Sequence, residues 1–187
     1  MKQGYKYSWS EMVVLSANWK KFAKENEGKS WTIGTHSFAN FDAPVIRKFE
    51  LDIPYKNRII QFLTTEFKPL KIQYTFKKRI DFEFIIYPED FTDRLFKIFG
   101  SKEIEIAVKE FDDQFMIIGN DELRINKLLK PELRRYLIDN YVANFKLESG
   151  KQNSILELNI VINELDFSEM SLVLELFKNC IDCIESE

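Results

Sequence analysis

A chain of 187 residues that is 45% apolar and 30% charged is long enough to bury roughly 70% of the surface its unfolded form exposes. Its 17 Phe, 7 Tyr and 3 Trp supply bulky core material, which excludes intrinsic disorder, and a net charge of −3 gives no bulk electrostatic case for nucleic acid. Both cysteines fall in the last eight residues, Met1 to Lys6 carry no signal-peptide pattern, and no apolar run nears the about 20 residues that span a bilayer; the expectation is a soluble, cytoplasmic protein with no membrane span and no disulfide framework.

Ser8-Trp9-Ser10-Glu11 resembles a capping box and opens an expected helix over residues 8–26, which Gly28 stops. Trp9, Met12, Leu15, Trp19 and Phe22 share one face of it. That face is suited to covering a sheet or, with Lys20, Lys21 and Lys24 on the polar side, to resting on a partner or a membrane. From Ser30 the period becomes that of strands, expected at Trp31–Phe38, Val45–Ile53, Arg58–Phe67, Leu70–Phe76 and Ile80–Tyr87. In the last of these Ile80, Phe82, Phe84 and Ile86 point one way while Asp81 and Glu83 point the other, as in an antiparallel strand with one wet face. Pro54 and Pro69 belong at strand ends.

Pro88 starts an expected helix with Phe91, Leu95, Ile98 and Phe99 on one face and Gly100 at its end, and a strand follows at Glu103–Val108. Asp112-Asp113 reads as a tight turn, Phe115–Ile118 as a buried strand, and Gly119-Asn120 as a turn before an N-cap at Asp121. That short helix carries Leu123, Leu128 and Leu129, and Pro131 opens another lined by Leu133, Tyr136, Leu137 and Tyr141. Phe145–Ser149 and Ser154–Asn163 form a hairpin around Gly150-Lys151-Gln152-Asn153. Ser168 caps a final helix over 168–185, in which Met170, Val173, Leu174, Phe177, Ile181 and Ile184 recur at helical spacing. Leu172, Leu176 and Cys183 widen its apolar surface, so Leu172 and Leu176 are the expected interface residues of a possible homodimer.

With no repeat or linker, the chain reads as one α+β domain over 1–187, a mainly antiparallel sheet on which the helices 8–26 and 168–185 pack. The segments Tyr87-Pro88-Glu89-Asp90-Phe91, Phe99-Gly100, Phe111-Asp112-Asp113-Gln114-Phe115, Gly119-Asn120-Asp121 and Leu128-Leu129-Lys130-Pro131-Glu132-Leu133 resemble an uncharacterised bacterial family, a domain of unknown function. The resemblance covers about residues 80–165 and implies a strand, a Phe-Asp turn, a short strand ending in Gly-x-Asp, a helix pair and a closing hairpin. Some members are membrane-tethered. Ala107-Val108 stand where that pattern leads one to expect a Gly-Asp-like turn, and the resemblance carries a fold but no reaction.

Chemistry is sparse. His36 is the only histidine and has no metal-spaced Cys or carboxylate beside it. Cys180-Ile181-Asp182-Cys183 matches C-x-x-C, but it lies at a helix C-terminus beside Asp182 and Glu185, where a thiolate is disfavoured, so both thiols read as small core residues. Asp112, Asp113, Asp121 and Glu122 read as turn and cap groups in preference to a cation site. Tyr74, Phe76, Lys77, Lys78 and Arg79 hold the ingredients of a nucleic-acid stacking platform, yet Tyr74 and Phe76 share a strand face and read as core. Lys68 and Lys71 extend that basic run, and residues 157–187 set eight carboxylates against Lys178; both read as solvated faces.

No catalytic, cofactor-binding or metal-binding residue is therefore expected, and no cofactor. The expected role is a non-catalytic interaction or scaffold module with a protein partner. The alternatives are a carrier of an amphipathic small ligand in an aromatic-lined cavity and a carboxylate-based metal-dependent enzyme.

Overall fold

The computed structural model describes residues 9–35, 46–65, 68–89, 103–161 and 167–186. His36, the capping residue Ser8 and the apolar face Phe91, Leu95, Ile98 and Phe99 lie outside them. The first half of the chain forms α1 (Trp9–Glu25), β1 (Lys29–Thr35), β2 (Ile46–Tyr55), β3 (Arg58–Thr65), β4 (Lys68–Thr75) and β5 (Phe84–Pro88). The second forms α2 (Lys109–Asp112), β6 (Phe115–Gly119), α3 (Glu122–Leu128), α4 (Pro131–Asp139), β7 (Tyr141–Ser149), β8 (Ser154–Val161) and α5 (Phe167–Glu185).

The eight described strands join one antiparallel sheet in the order β1-β2-β3-β4-β8-β7-β5-β6, so the architecture is α+β. β1 to β4 form a meander, and the β7–β8 hairpin inserts between β4 and β5. Alternation sets which side chains share a face. One row runs across the sheet through Leu51, Phe62, Ile72, Leu158, Phe145, Ile86 and Ile117. No member of that row is more than 2% exposed.

The helices seal this inner face. Trp19 and Phe22 of α1 set their rings 6.2 Å from those of Phe49 and Phe62. Met170, Val173, Phe177 and Ile181 of α5 enter the same core, each large side chain contributing about 1.5–3 kcal/mol. The breadth of the apolar surface on α5 follows from its neighbours, because it touches both α1 and α3. Leu176 is part of that core at 8% exposure, whereas Leu172 stands 53% exposed. Of the two residues expected at an interface, then, Leu176 is already covered by its own chain.

Several expected boundaries move, each for a local reason. Glu103–Val108 is not a strand: it makes a single bridge, Glu103 to Ile118, with Ile104 N donating to Ile117 O at 2.9 Å. Beyond that bridge the Asp112 carboxylate accepts from Ile106 N at 3.2 Å and Val108 N at 2.9 Å, so a side chain replaces the ladder. Asp112 itself ends the short helix α2, where a plain turn was expected. β5 begins at Phe84 and not at Ile80, whose N–H and C=O are taken by the hydroxyls of Ser154 and Ser149. Pro88 ends β5 opposite Phe115, and the helix expected to follow it falls on residues 90–102, outside the described residues.

Tyr141 opens β7 at 65% exposure and does not extend α4, which Asn140 terminates by donating its side-chain N–H to Tyr136 O at 2.9 Å. Ser168 lies inside α5, one residue after its start. At the end of α1 the left-handed residue is Glu27 (φ 56), while Gly28 donates N–H to Ala23 O at 2.8 Å. Gly28 is needed for closeness: a Cβ there would sit 2.4 Å from Asp52 O.

Candidate functional site

The face of the sheet turned away from the described helices is mostly polar and internally paired. Gln61 bridges strands by donating to Asp52 at 3.2 Å and accepting from Gln73 at 2.7 Å. Glu157 pairs with Lys71 at 2.8 Å and accepts from Asn159 at 2.8 Å, and Asn159 also donates to Asn144 at 2.9 Å. Burial works against the Glu157 carboxylate, but these two hydrogen bonds and the charge of Lys146 outweigh it and hold its pKa below the ordinary range.

Toward the β6 end this face changes character. Ile85, Ile118 and Ile155 occupy its outward phase and line a cleft of about 430 Å³, with Glu83, Asn120, Glu148 and Asn153 among the polar groups lining it. The volume falls in the range of small-ligand sites, about 300–1,000 Å³. Two other clefts, of about 250 and 400 Å³, lie over β2–β3–β4 and beside α4. The second of these is bordered by Asp113 and Asp139, which are already paired with Lys109 at 3.0 Å and Arg135 at 2.8 Å.

Three chain segments are pinned together to build the first cleft. Ser149 Oγ donates to Ile80 O at 2.6 Å, and Ile80 N donates to Ser154 Oγ at 2.9 Å. Because the single Ser149 proton goes to Ile80, the 2.8 Å contact between the two hydroxyls is donated by the fully buried Ser154. Glu83 accepts from Ser149 N at 3.2 Å, its own N–H goes to Asn120 Oδ1 at 2.9 Å, and Asn120 N returns to Glu83 O at 3.1 Å. Gly119 permits this closeness, since a Cβ there would lie 2.5 Å from Ile125 Cδ1 and 3.0 Å from Glu83 O. The hairpin loop closes through Gly150 N and Asn153 O at 2.7 Å.

The resulting site has an aliphatic floor and a hydrogen-bonding rim. Its described lining contains two carboxylates, Glu83 and Glu148, and no Lys or Arg. Lys146 neutralises Glu148 from outside at 2.8 Å. Ser149 is no nucleophile paired with Glu83, because that carboxylate holds its backbone N–H and not its hydroxyl.

The residues singled out from the sequence do not converge here. Cys180 is buried and Cys183 half-buried, and burial pushes the Cys180 thiol far up. Asp121 caps α3, accepting from Arg124 N at 3.1 Å. Tyr74 and Phe76 are buried and meet edge to face at 5.0 Å, so they offer no stacking platform. Further ring pairs, Phe84 with Phe145 at 5.1 Å and Phe111 with Phe115 at 4.8 Å, show aromatic side chains filling the interior against one another. Among the described residues no three His, Cys, Asp or Glu side chains gather as a metal cluster. No described helix is long and apolar enough to cross a membrane.

Sequence reasoning missed the cleft because its members come from three separate segments. A signal was present, however. β5 and β6 read Phe84-Ile85-Ile86-Tyr87 and Phe115-Met116-Ile117-Ile118, apolar on both phases where the other strands alternate.

No protein-family model matches the chain, and no curated protein sequence matches it. Among solved structures, the crystal structure of the mycobacterial trehalose monomycolate transport factor A, TtfA, is similar, with a TM-score of 0.53 at 9% identity, over 91% of this chain and 96% of that one. At that identity the likeness is one of fold.

Proposed function

We propose that this chain is a non-catalytic binding protein that holds a small amphipathic ligand in the outer-face cleft, as a carrier. The observation that carries this reading is the aliphatic patch of Ile85, Ile118 and Ile155 beneath a polar rim, beside the paired polar network of the middle strands. An apolar tail gains from the floor, and an orienting head group finds partners at the rim. The similar mycobacterial fold is named as a trehalose monomycolate transport factor, which supports a carrier. The site is an outer cleft floored by aliphatic groups, where the sequence led to an aromatic-lined cavity. We further place residues 80–165 with the bacterial family they resemble, and the chain in a reducing, cytoplasmic compartment, to which its two reduced thiols are suited.

The test is titration with the uncharged fluorescent probe 1-N-phenylnaphthylamine. Saturable enhancement is expected in the parent and is lost in Ile155→Glu, which puts charge at the cleft wall from a position already 38% exposed. Absence of enhancement, or equal enhancement in the variant, overturns the reading.

A further inference from the structure

We infer that the cleft selects amphiphiles with an uncharged, hydroxyl-rich head and rejects anionic ones, a specificity that rests on the binding role proposed above. The described lining offers carboxylates at Glu83 and Glu148 and side-chain amides at Asn120 and Asn153, with no base to receive a phosphate, sulfate or carboxylate. An anionic head would enter against like charge and lose its water without a cationic partner. A lone cation is poorly matched too, because Lys146 already compensates Glu148 at 2.8 Å and one Glu83 oxygen holds Ser149 N at 3.2 Å. What remains is dispersed: one carboxylate oxygen of Glu83, the side-chain N–H group of Asn120, whose Oδ1 already accepts from Glu83 N, and the amide of Asn153 around an aliphatic floor. Hydroxyl groups, each able to donate and accept, satisfy such a rim at several points together. The carboxylate oxygens take donated hydroxyl protons, and the amide N–H groups supply bonds to hydroxyl oxygens.

Three probes with one tail and three heads test this: octyl glucoside, octylamine and octyl sulfate, each below its micelle concentration, competing against bound 1-N-phenylnaphthylamine. Octyl glucoside is expected to displace the probe at the lowest concentration and octyl sulfate at the highest. Glu83→Ala and Asn153→Ala should each raise the octyl glucoside midpoint, corrected for each variant's own probe affinity, by roughly threefold to tenfold, the loss of one hydrogen bond. Asn153 lies in the exposed hairpin loop, so its variant carries the test if Glu83→Ala does not fold. Displacement by octyl sulfate or octylamine at lower concentration than octyl glucoside overturns the inference, as does an unchanged octyl glucoside midpoint in Asn153→Ala. Failure of the parent to bind 1-N-phenylnaphthylamine sinks the binding role itself, which separates the two failures.

Discussion

Tyr55 donates its hydroxyl hydrogen to Asp182 at 2.7 Å across 127 residues of chain, tying the tip of the β2–β3 hairpin to the last turns of α5. The tip is a two-residue loop with Lys56 and Asn57 both at positive φ, 46° and 61°, as a tight primed hairpin turn requires. Lys56 turns back to pair with Asp182 at 2.5 Å and Glu185 at 3.1 Å, so one carboxylate holds both the tyrosine and the lysine. Burial and the bond to Asp182 push the Tyr55 hydroxyl up to about 12.

The clasp should make stability depend on pH in a defined direction. The bond from Lys56, followed by that from Tyr55, holds the Asp182 carboxyl below its ordinary value. Its contribution is therefore complete above the unfolded carboxyl value, about pH 4, and is lost as pH falls through the lower folded value. Lys56 is raised, chiefly by its bond to Asp182, so its contribution is complete below about pH 10 and fades above. Both groups are substantially exposed, so Asp182→Asn should cost only about 1 kcal/mol at pH 7 in urea unfolding. The parent and variant curves should converge in acid; an unchanged gap at pH 2 would count against the clasp.

Two backbone positions should respond in opposite directions to exchange of Ala and Gly. Ala107 sits at φ 58, where a Cβ is disfavoured, so Ala107→Gly should stabilise by about 0.5–1 kcal/mol. Gly119→Ala should destabilise, because the new Cβ meets Ile125 Cδ1 and Glu83 O. Thermal unfolding of the two variants measures both signs. A stabilised Gly119→Ala would mean that the β6 end yields more readily than its contacts imply.

Cys180 should behave as a core residue. Burial raises its thiol far above the ordinary value, so iodoacetamide at pH 8 should label Cys183 well before Cys180, as peptide mass spectrometry would show. Cys180→Ser should cost about 1–3 kcal/mol by placing a hydroxyl among apolar side chains. Equal labelling of both thiols in the folded protein would contradict this placement.

Leu172 and Leu176 should separate cleanly under substitution. Leu176→Glu buries a charge in the core and should unfold the chain, whereas Leu172→Glu adds charge at an exposed position and should leave stability within about 0.5 kcal/mol. If Leu172 anchors a homodimer, light scattering should find the parent dimeric and Leu172→Glu monomeric. A parent that is monomeric at high concentration excludes that contact.

Local signals with a local cause were legible in the sequence. Asp121 as an N-cap, Pro131 at a helix start, the Gly150–Asn153 hairpin loop and the inward phase of Phe82, Phe84 and Ile86 all appear as expected, because turn chemistry and alternation need only neighbouring residues. The boundaries that moved share a different cause. Ile80 leaves the ladder because Ser149 and Ser154 take its backbone groups, and Glu103–Val108 stays irregular because Asp112 does the same. Such competition between side chains and ladders depends on which segments meet.

By itself, then, the sequence determined the α+β character, most of the strands and, where alternation is clean as in Phe82–Ile86 and Leu156–Ile160, their inward face, since apolar period and turn residues act within a few positions. Tertiary structure alone decided that the β7–β8 hairpin enters between β4 and β5, that the width of α5 is spent against α1 and α3, and that Ile85, Ile118 and Ile155 meet beneath Glu83 and Asn153. Those outcomes depend on pairing between strands far apart in the chain. Alternation specifies which face a residue occupies, but it leaves open which strand lies beside it.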